Sequence, residues 1–205
     1  MAINNFDLDS GALCLDFANT MEWHASNNPH DKLQEFADLI AWAETAEIVS
    51  ADQARLLLDL ADQQPQKARA AFKRAIELRE VIYRIFAAYA GQETFEAADL
   101  AAFNQALSTS MARAQVMPVA DGFAWGWMEE KPDFEEILWP VVRSAANLLT
   151  SDSLGRVRQC ADDRGCGYLF VDMSRNRSRR WCSMESCGNR AKAQRHYERQ
   201  KQADE

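Results

Sequence analysis

Apolar residues recur along most of this chain at helical spacing, and the period changes only once before the last quarter. In residues 11–24, Leu13, Phe17 and Met21 stand four apart and predict a short amphipathic helix. A polar loop with Ser26, Asn27, Asn28 and Pro29 follows. Residues 31–46 place Leu33, Phe36, Leu39, Ile40 and Ala43 on one face of a second helix. Ser50 is positioned to cap a third over 51–62, and Gln63, Gln64 and Pro65 interrupt the pattern. The strongest stripe runs over 66–90, where Phe72, Ile76, Arg79 and Tyr83 step along one face and Leu78, Ile82, Ile85, Phe86 and Tyr89 widen it. Gly91 is placed to end that helix as its C′ residue. Residues 97–111 predict another, with Leu100, Phe103 and Leu107 inward.

The period then shifts to two. Large and small residues alternate over 113–127 around Asp121-Gly122, a hairpin signal, with Pro118 confining its strand to an edge or a bulge. Residues 133–150 return to helical spacing, with Pro140 set to kink or delay the helix. A polar cluster of Ser151, Asp152, Ser153 and Gly155 marks a boundary near residue 152. The expectation is a mainly helical α+β protein in two parts, 1–152 and 153–205.

Charge sharpens that division. Residues 1–150 hold 11 Lys and Arg against 23 Asp and Glu, a net of −12, whereas 151–205 hold 12 against 8, a net of +4. Between Arg156 and Lys201 the excess is +7. An acidic body with a basic end suggests a polyanion-binding module, the alternative being a solvated basic face. No run of 18 apolar residues exists, and the N-terminus lacks a basic segment followed by an apolar one, so a cytoplasmic protein without membrane spans is expected.

Of the five cysteines, Cys160, Cys166, Cys182 and Cys187 lie within 28 residues, and Cys14 stands apart. Two pairs on short loops can present four sulfurs tetrahedrally to one zinc ion; a disulfide pair or free thiols are the alternatives. Gly165 and Gly167 flank Cys166 and allow a tight curl. YLFVD and RRWC read as two strands joined by MSRNRSR, and Cys187 opens a helical sequence. Knuckle, hairpin and ligand-bearing helix make a treble-clef arrangement. Four thiolates leave no open coordination position, so the metal is expected to be structural rather than catalytic. Cys14 reads as a core residue, and His196 is a competing ligand only in principle.

The stretch from Cys160 to Arg199 resembles the zinc finger named for its Cys-Gly-Asn-Arg motif, here Cys187-Gly188-Asn189-Arg190. LCLDFANT, Leu13 to Thr20, resembles the start of the ABATE domain that precedes this finger in bacteria, and LLTS at 148–151 resembles its end. The knuckle loop Ala161 to Gly165 is slightly larger than in some relatives. The resemblance implies a stress-induced transcription regulator whose finger binds DNA.

Candidate contacts follow from the basic residues. Arg175, Arg177, Arg179 and Arg180 crowd the loop of the finger, Arg190 sits in the first turn of the last helix, and Lys192, Arg195 and Arg199 share one helical face. Together they could line a phosphate backbone, or they could pair with the acidic domain instead. A homodimer is a further expectation, because a single finger often needs a second copy for specificity. Asp16, Asn19 and Thr20 line one side of the first helix, with His24 a turn further. They suggest a pocket for a small-molecule effector, the alternative being a buried structural network. The three histidines and the missing nucleophile motif argue against an enzyme. The competing readings are a protein-interaction adaptor with a purely structural finger and an RNA-binding protein.

Overall fold

The structure, a computed structural model, describes residues 6–128 and 132–203. Seven helices dominate it: α1 (Leu13–Ala18), α2 (Phe36–Thr45), α3 (Ala51–Gln63), α4 (Pro65–Gly91), α5 (Ala97–Met111), α6 (Leu138–Leu149) and α7 (Asn189–Ala203). Three antiparallel strand pairs complete it: β1 (Met21–Glu22) with β2 (His30–Asp31), β3 (Ala114–Val119) with β4 (Gly122–Trp127), and β5 (Val157–Gln159) with β6 (Leu169–Val171). The fold is thus mainly α with small β, as the periodicity indicated.

Local chemistry sets most helix ends. Ser50 caps α3 as expected: its hydroxyl accepts from the Gln53 N–H at 3.3 Å, and the Gln53 side chain returns the contact to the Ser50 N–H at 2.9 Å. Pro65 opens α4 at a position whose N–H needs no helical partner. That helix runs one residue further than expected, and Gln92 rather than Gly91 takes the left-handed conformation at its end. Pro140 delays α6 rather than kinking it: the helix starts at Leu138, which puts the proline in the first turn. Helix α1 stops at Ala18 instead of reaching residue 24, and α2 starts at Phe36 instead of residue 31. The residues between form the β1–β2 pair, and Asp38 caps α2 by accepting from the N–H groups of Gln34 and Glu35.

One core joins the helices. Cys14, Leu15, Phe17 and Ala18 of α1, Trp42 of α2, Ile82 and Phe86 of α4, and Val141 and Val142 of α6 are fully buried in it. Cys14 is the core cysteine expected, its thiol pushed up to about 12 by burial. Arg79 of α4 is also fully buried, held by Asp31 at 2.6 and 2.7 Å and by Glu80 at 3.0 Å. A buried guanidinium is tolerated only with such pairing.

Strand β6 has all three residues buried. Leu169 and Val171 belong to the helical core, while Phe170, on the opposite face, packs with Cys160 and Cys187. This short strand therefore serves two cores at once. Its partner is β5, not the RRWC segment, which is irregular. Arg179 and Arg180 are diverted there by contacts to neighbouring loops, of which only Ala161 N–H to the Arg180 carbonyl, 2.8 Å, resembles a ladder bond.

Candidate metal centre and basic face

Strands β5 and β6 flank the first cysteine pair, so Cys160 and Cys166 lie in the loop of their hairpin. The Cys160 N–H donates to the Tyr168 carbonyl at 2.8 Å and extends the ladder to the first ligand. Cys182 and Cys187 come from the other side, Cys187 within a single wide π turn, Met184–Gly188, that leads into α7. Ser183 caps that turn by accepting from the Glu185 N–H at 3.1 Å.

The four sulfurs lie within 4.8 Å of one another. Cys166 and Cys182 are 3.8 Å apart, and Cys182 and Cys187 are 3.5 Å apart. Zinc–thiolate bonds of about 2.3 Å in a tetrahedron require sulfur separations of about 3.8 Å, so the donor set fits zinc. All four are free cysteines rather than disulfide partners. Crowding makes the thiols oppose one another: hydrogen bonds from Cys166 and Cys182 favour the Cys160 thiolate, and the same contacts push Cys166 and Cys182 up toward the protonated form. A dication at the centre removes this conflict and allows four thiolates together. The chain thus carries one closed, structural zinc site. His196 lies outside it, exposed on α7 beside Gln200.

An outer shell braces the site. Asp162 is buried and accepts from Arg164 at 3.2 Å and from Arg190 at 3.2 Å. Burial alone would raise its carboxyl, but the hydrogen bonds from Arg164 outweigh that and hold it near 2. Arg190 also donates to the Cys187 sulfur at 2.8 Å, which favours the thiolate. Both guanidinium groups lie over Trp23, Arg164 at 5.5 Å and Arg190 at 5.0 Å from the ring centre. Trp23 belongs to the turn after β1, so this cluster ties finger to helical body. The acidic pair in the loop CADDRGC was its only trace in the sequence.

The two knuckle glycines reinforce the junction. Gly165 and Gly167 have φ of +87° and +70°, and a Cβ at either would fall 2.6–2.7 Å from the backbone of Ala25. Their role is close approach as much as curl. Tyr83 of α4 donates to the Gly167 carbonyl at 3.1 Å and stacks on His24 at 3.4 Å, while His24 pairs with Glu80 at 2.8 Å.

The basic residues divide. Arg179 is used internally: its side chain donates to the carbonyls of Trp181 and Cys182 and lies 4.3 Å over Phe170. Arg190 is likewise turned to the zinc shell. Arg175, Arg177, Arg180, Lys192, Arg195 and Arg199 are exposed. Arg175 and Arg177 occupy a loop organised by Asp172, a fully buried residue whose carboxylate accepts from the N–H groups of Ser174 at 2.9 Å and Arg179 at 3.0 Å. Burial pushes the Asp172 carboxyl up, yet these bonds leave it below its ordinary value. Arg180 and Arg195 lie 5.2 and 5.5 Å from the Trp181 ring centre.

Asp16, Asn19 and Thr20 are brought together and line a small cavity of about 40 Å³ with Lys32 and Tyr168, and each also bonds within the protein. Asp16 accepts from the Ser10 N–H at 3.0 Å. The Asn19 amide bonds both backbone groups of Leu169, at 2.8 and 2.9 Å. Thr20 donates to the Phe17 carbonyl at 2.7 Å and accepts from Arg79 at 3.2 Å. A groove of about 390 Å³ lies elsewhere, between α4, α5 and α6, lined by Leu78, Val81, Trp139 and Val142 with Arg74 and Glu135 at 2.6 Å across it.

The ABATE family model, described as "Putative stress-induced transcription regulator", matches residues 11–152, and the CGNR zinc finger model matches residues 156–200. No curated protein matches the chain significantly. No helix among the described residues is long and apolar enough to cross a membrane. Motif, metal site and domain order agree: the chain belongs to the ABATE family and ends in a CGNR zinc finger.

Proposed function

We propose that this regulator is a non-catalytic DNA-binding protein whose finger grips the phosphate backbone. The observation that carries this reading is the sorting of the basic residues. Those nearest the zinc are consumed in structure, while Arg175, Arg177, Arg180, Lys192, Arg195 and Arg199 remain exposed on elements that the zinc and Asp172 hold in place. Helix α7 spaces Lys192, Arg195 and Arg199 along one side, and the arginine loop is the second contact. Pre-positioned guanidinium groups lose less side-chain freedom on binding phosphate than mobile ones would.

The test is anisotropy of labelled random-sequence DNA and RNA across a salt series, with zinc-loaded wild type and an Arg175→Ala/Arg177→Ala variant. Salt-dependent DNA binding that weakens in the variant supports the reading. Equal and negligible binding by both proteins favours the adaptor, and preference for RNA replaces the target.

Effector sensing belongs to the groove between α4, α5 and α6 rather than to Asp16, Asn19 and Thr20. The groove is apolar with an ion pair across it and has the size of a small-molecule site. Thermal shift against a metabolite library, with Val81→Trp as a filled-groove control, tests it. A shift that survives filling places the ligand elsewhere.

A further inference from the structure

A second groove, of about 560 Å³, follows the seam between the two parts of the chain. Helix α6 contributes Arg143, Ser144 and Asn147 to its walls, α1 contributes Leu13, and the finger contributes Val171 and Met173. Arg143 and Asn147 stand four apart and share one face of their helix. Arg143 is the sole charged residue among the described ones that line the groove. An occupant here touches helical body and finger together.

Arg143 is an exception in an acidic domain. Residues 1–150 hold 23 Asp and Glu against 11 Lys and Arg, and Arg55, Arg74, Arg79 and Arg84 each hold a carboxylate at 2.6–2.9 Å. Arg143 holds none among the described residues, and its Nη1 is buried without an acceptor. What keeps the half-buried guanidinium in place is aromatic: it lies 5.6 Å from the ring centres of both Trp125 and Trp127. Two acidic residues adjoin the lining in sequence. Asp172 is fully buried and accepts from the N–H groups of Ser174 and Arg179, and Asp152 is exposed in the turn after α6. Neither pairs with Arg143. A cation held by rings, with a donor left over, is prepared for an anion from outside the chain.

We propose that this groove binds a small organic anion, whose carboxylate or phosphate group pairs with Arg143 and whose apolar body lies against Leu13, Val171 and Met173. A guanidinium fork takes either head group bidentately, and Ser144 and Asn147 offer a hydroxyl and an amide beside it. The two indole rings hold the fork in place, so little side-chain freedom is lost on binding. On the finger side the occupant lies against the residues that flank Asp172, which organises the loop carrying Arg175 and Arg177. The site is separate from the groove between α4, α5 and α6, and it does not depend on nucleic-acid binding.

The test adds benzoate, phenyl phosphate or inorganic phosphate to the zinc-loaded full chain and follows the indole N–H resonances of Trp125 and Trp127. Benzoate or phenyl phosphate is expected to shift both resonances saturably at millimolar concentrations, and whichever binds more tightly identifies the head group. Arg143→Met keeps the apolar stem, and Asn147→Trp fills the groove with Arg143 in place. Each is expected to weaken binding by about tenfold or more while keeping zinc and helical circular dichroism, and either variant suffices if the other fails to fold. Arg175→Ala/Arg177→Ala is expected to leave binding unchanged, which separates this site from phosphate contacts on the finger. No saturable shift with any probe overturns the proposal. So does binding that survives either groove variant, or that is lost in Arg175→Ala/Arg177→Ala. Inorganic phosphate binding as tightly as phenyl phosphate also overturns it, since the apolar walls then contribute nothing.

Discussion

Asn19 pairs with Leu169 as a strand would, its amide donating to the Leu169 carbonyl at 2.8 Å and accepting from the Leu169 N–H at 2.9 Å. One side chain of the N-terminal motif thus completes the free edge of the finger's central strand, and the Val171 N–H to Ser10 carbonyl bond, 2.7 Å, continues the same seam. Asn19→Ala leaves two buried backbone groups unpaired. It is expected to cost roughly 2–4 kcal/mol in urea unfolding while zinc stays at one per chain. A loss under about 1 kcal/mol would mean that water or a shifted loop replaces the amide.

Zinc removal is expected to weaken the whole chain rather than the tail alone. Phe170 packs with the ligand cysteines, while Leu169 and Val171 sit in the helical core, so disorder at the metal reaches that core through one strand. In isolated finger peptides zinc contributes on the order of 10–16 kcal/mol. Chelation, or Cys182→Ser, should lower the Tm of the helical body. A body that melts at an unchanged temperature would show the two cores to be uncoupled.

The arginines should separate by phenotype. Arg179→Ala loses its contacts to two carbonyls beside a zinc ligand and to Phe170, so it is expected to reduce stability and zinc retention. Arg175→Ala and Arg177→Ala should leave melting unchanged. Each should reduce the slope of log affinity against log salt by about 1, and six phosphate contacts imply about a 10³-fold loss between 50 and 200 mM salt. A wild-type affinity indifferent to salt would exclude backbone binding.

The Asp16 carboxyl is raised, burial being the main cause, so its charged form is disfavoured in the folded state. Between the unfolded value of about 3.9 and the raised folded value, the folded chain holds the proton that the unfolded chain has lost. Stability from this group therefore falls as pH rises through that window and is level above it. The unfolding free energy of Asp16→Asn minus that of wild type should climb across the same window and then stay constant. A difference that is flat with pH would remove Asp16 as the cause.

The metal centre was legible because cysteine is rarely crowded without reason and four within 28 residues leave few alternatives. The capping of α3 and the β3–β4 hairpin were legible because both depend on neighbours in sequence, although the turn falls on Ala120-Asp121, one residue earlier than the Asp121-Gly122 signal, and Gly122 already pairs with Val119. The β5–β6 pairing was not: a three-residue strand buried on both faces shows no alternation, and its edge partner Asn19 is 150 residues away. RRWC looked like a strand by composition, but Arg179 spends its side chain on the adjacent carbonyls. The buried Arg79 lay on a stripe that periodicity alone assigns to apolar contact. Asp16, Asn19 and Thr20 shared a helix side as read, and their partners, Ser10, Leu169, Phe17 and Arg79, lie in four different segments.

With backbone against backbone at Gly165, Gly167 and Ala25, the knuckle has a hard stop where most tethered modules have a hinge. In the proposed DNA complex the finger would therefore not swivel independently, and the acidic body would arrive with it in one fixed pose, to be held clear of the polyanion. Any signal received among the helices would act by tilting the whole assembly or by prising this seam apart, not by swinging a free arm.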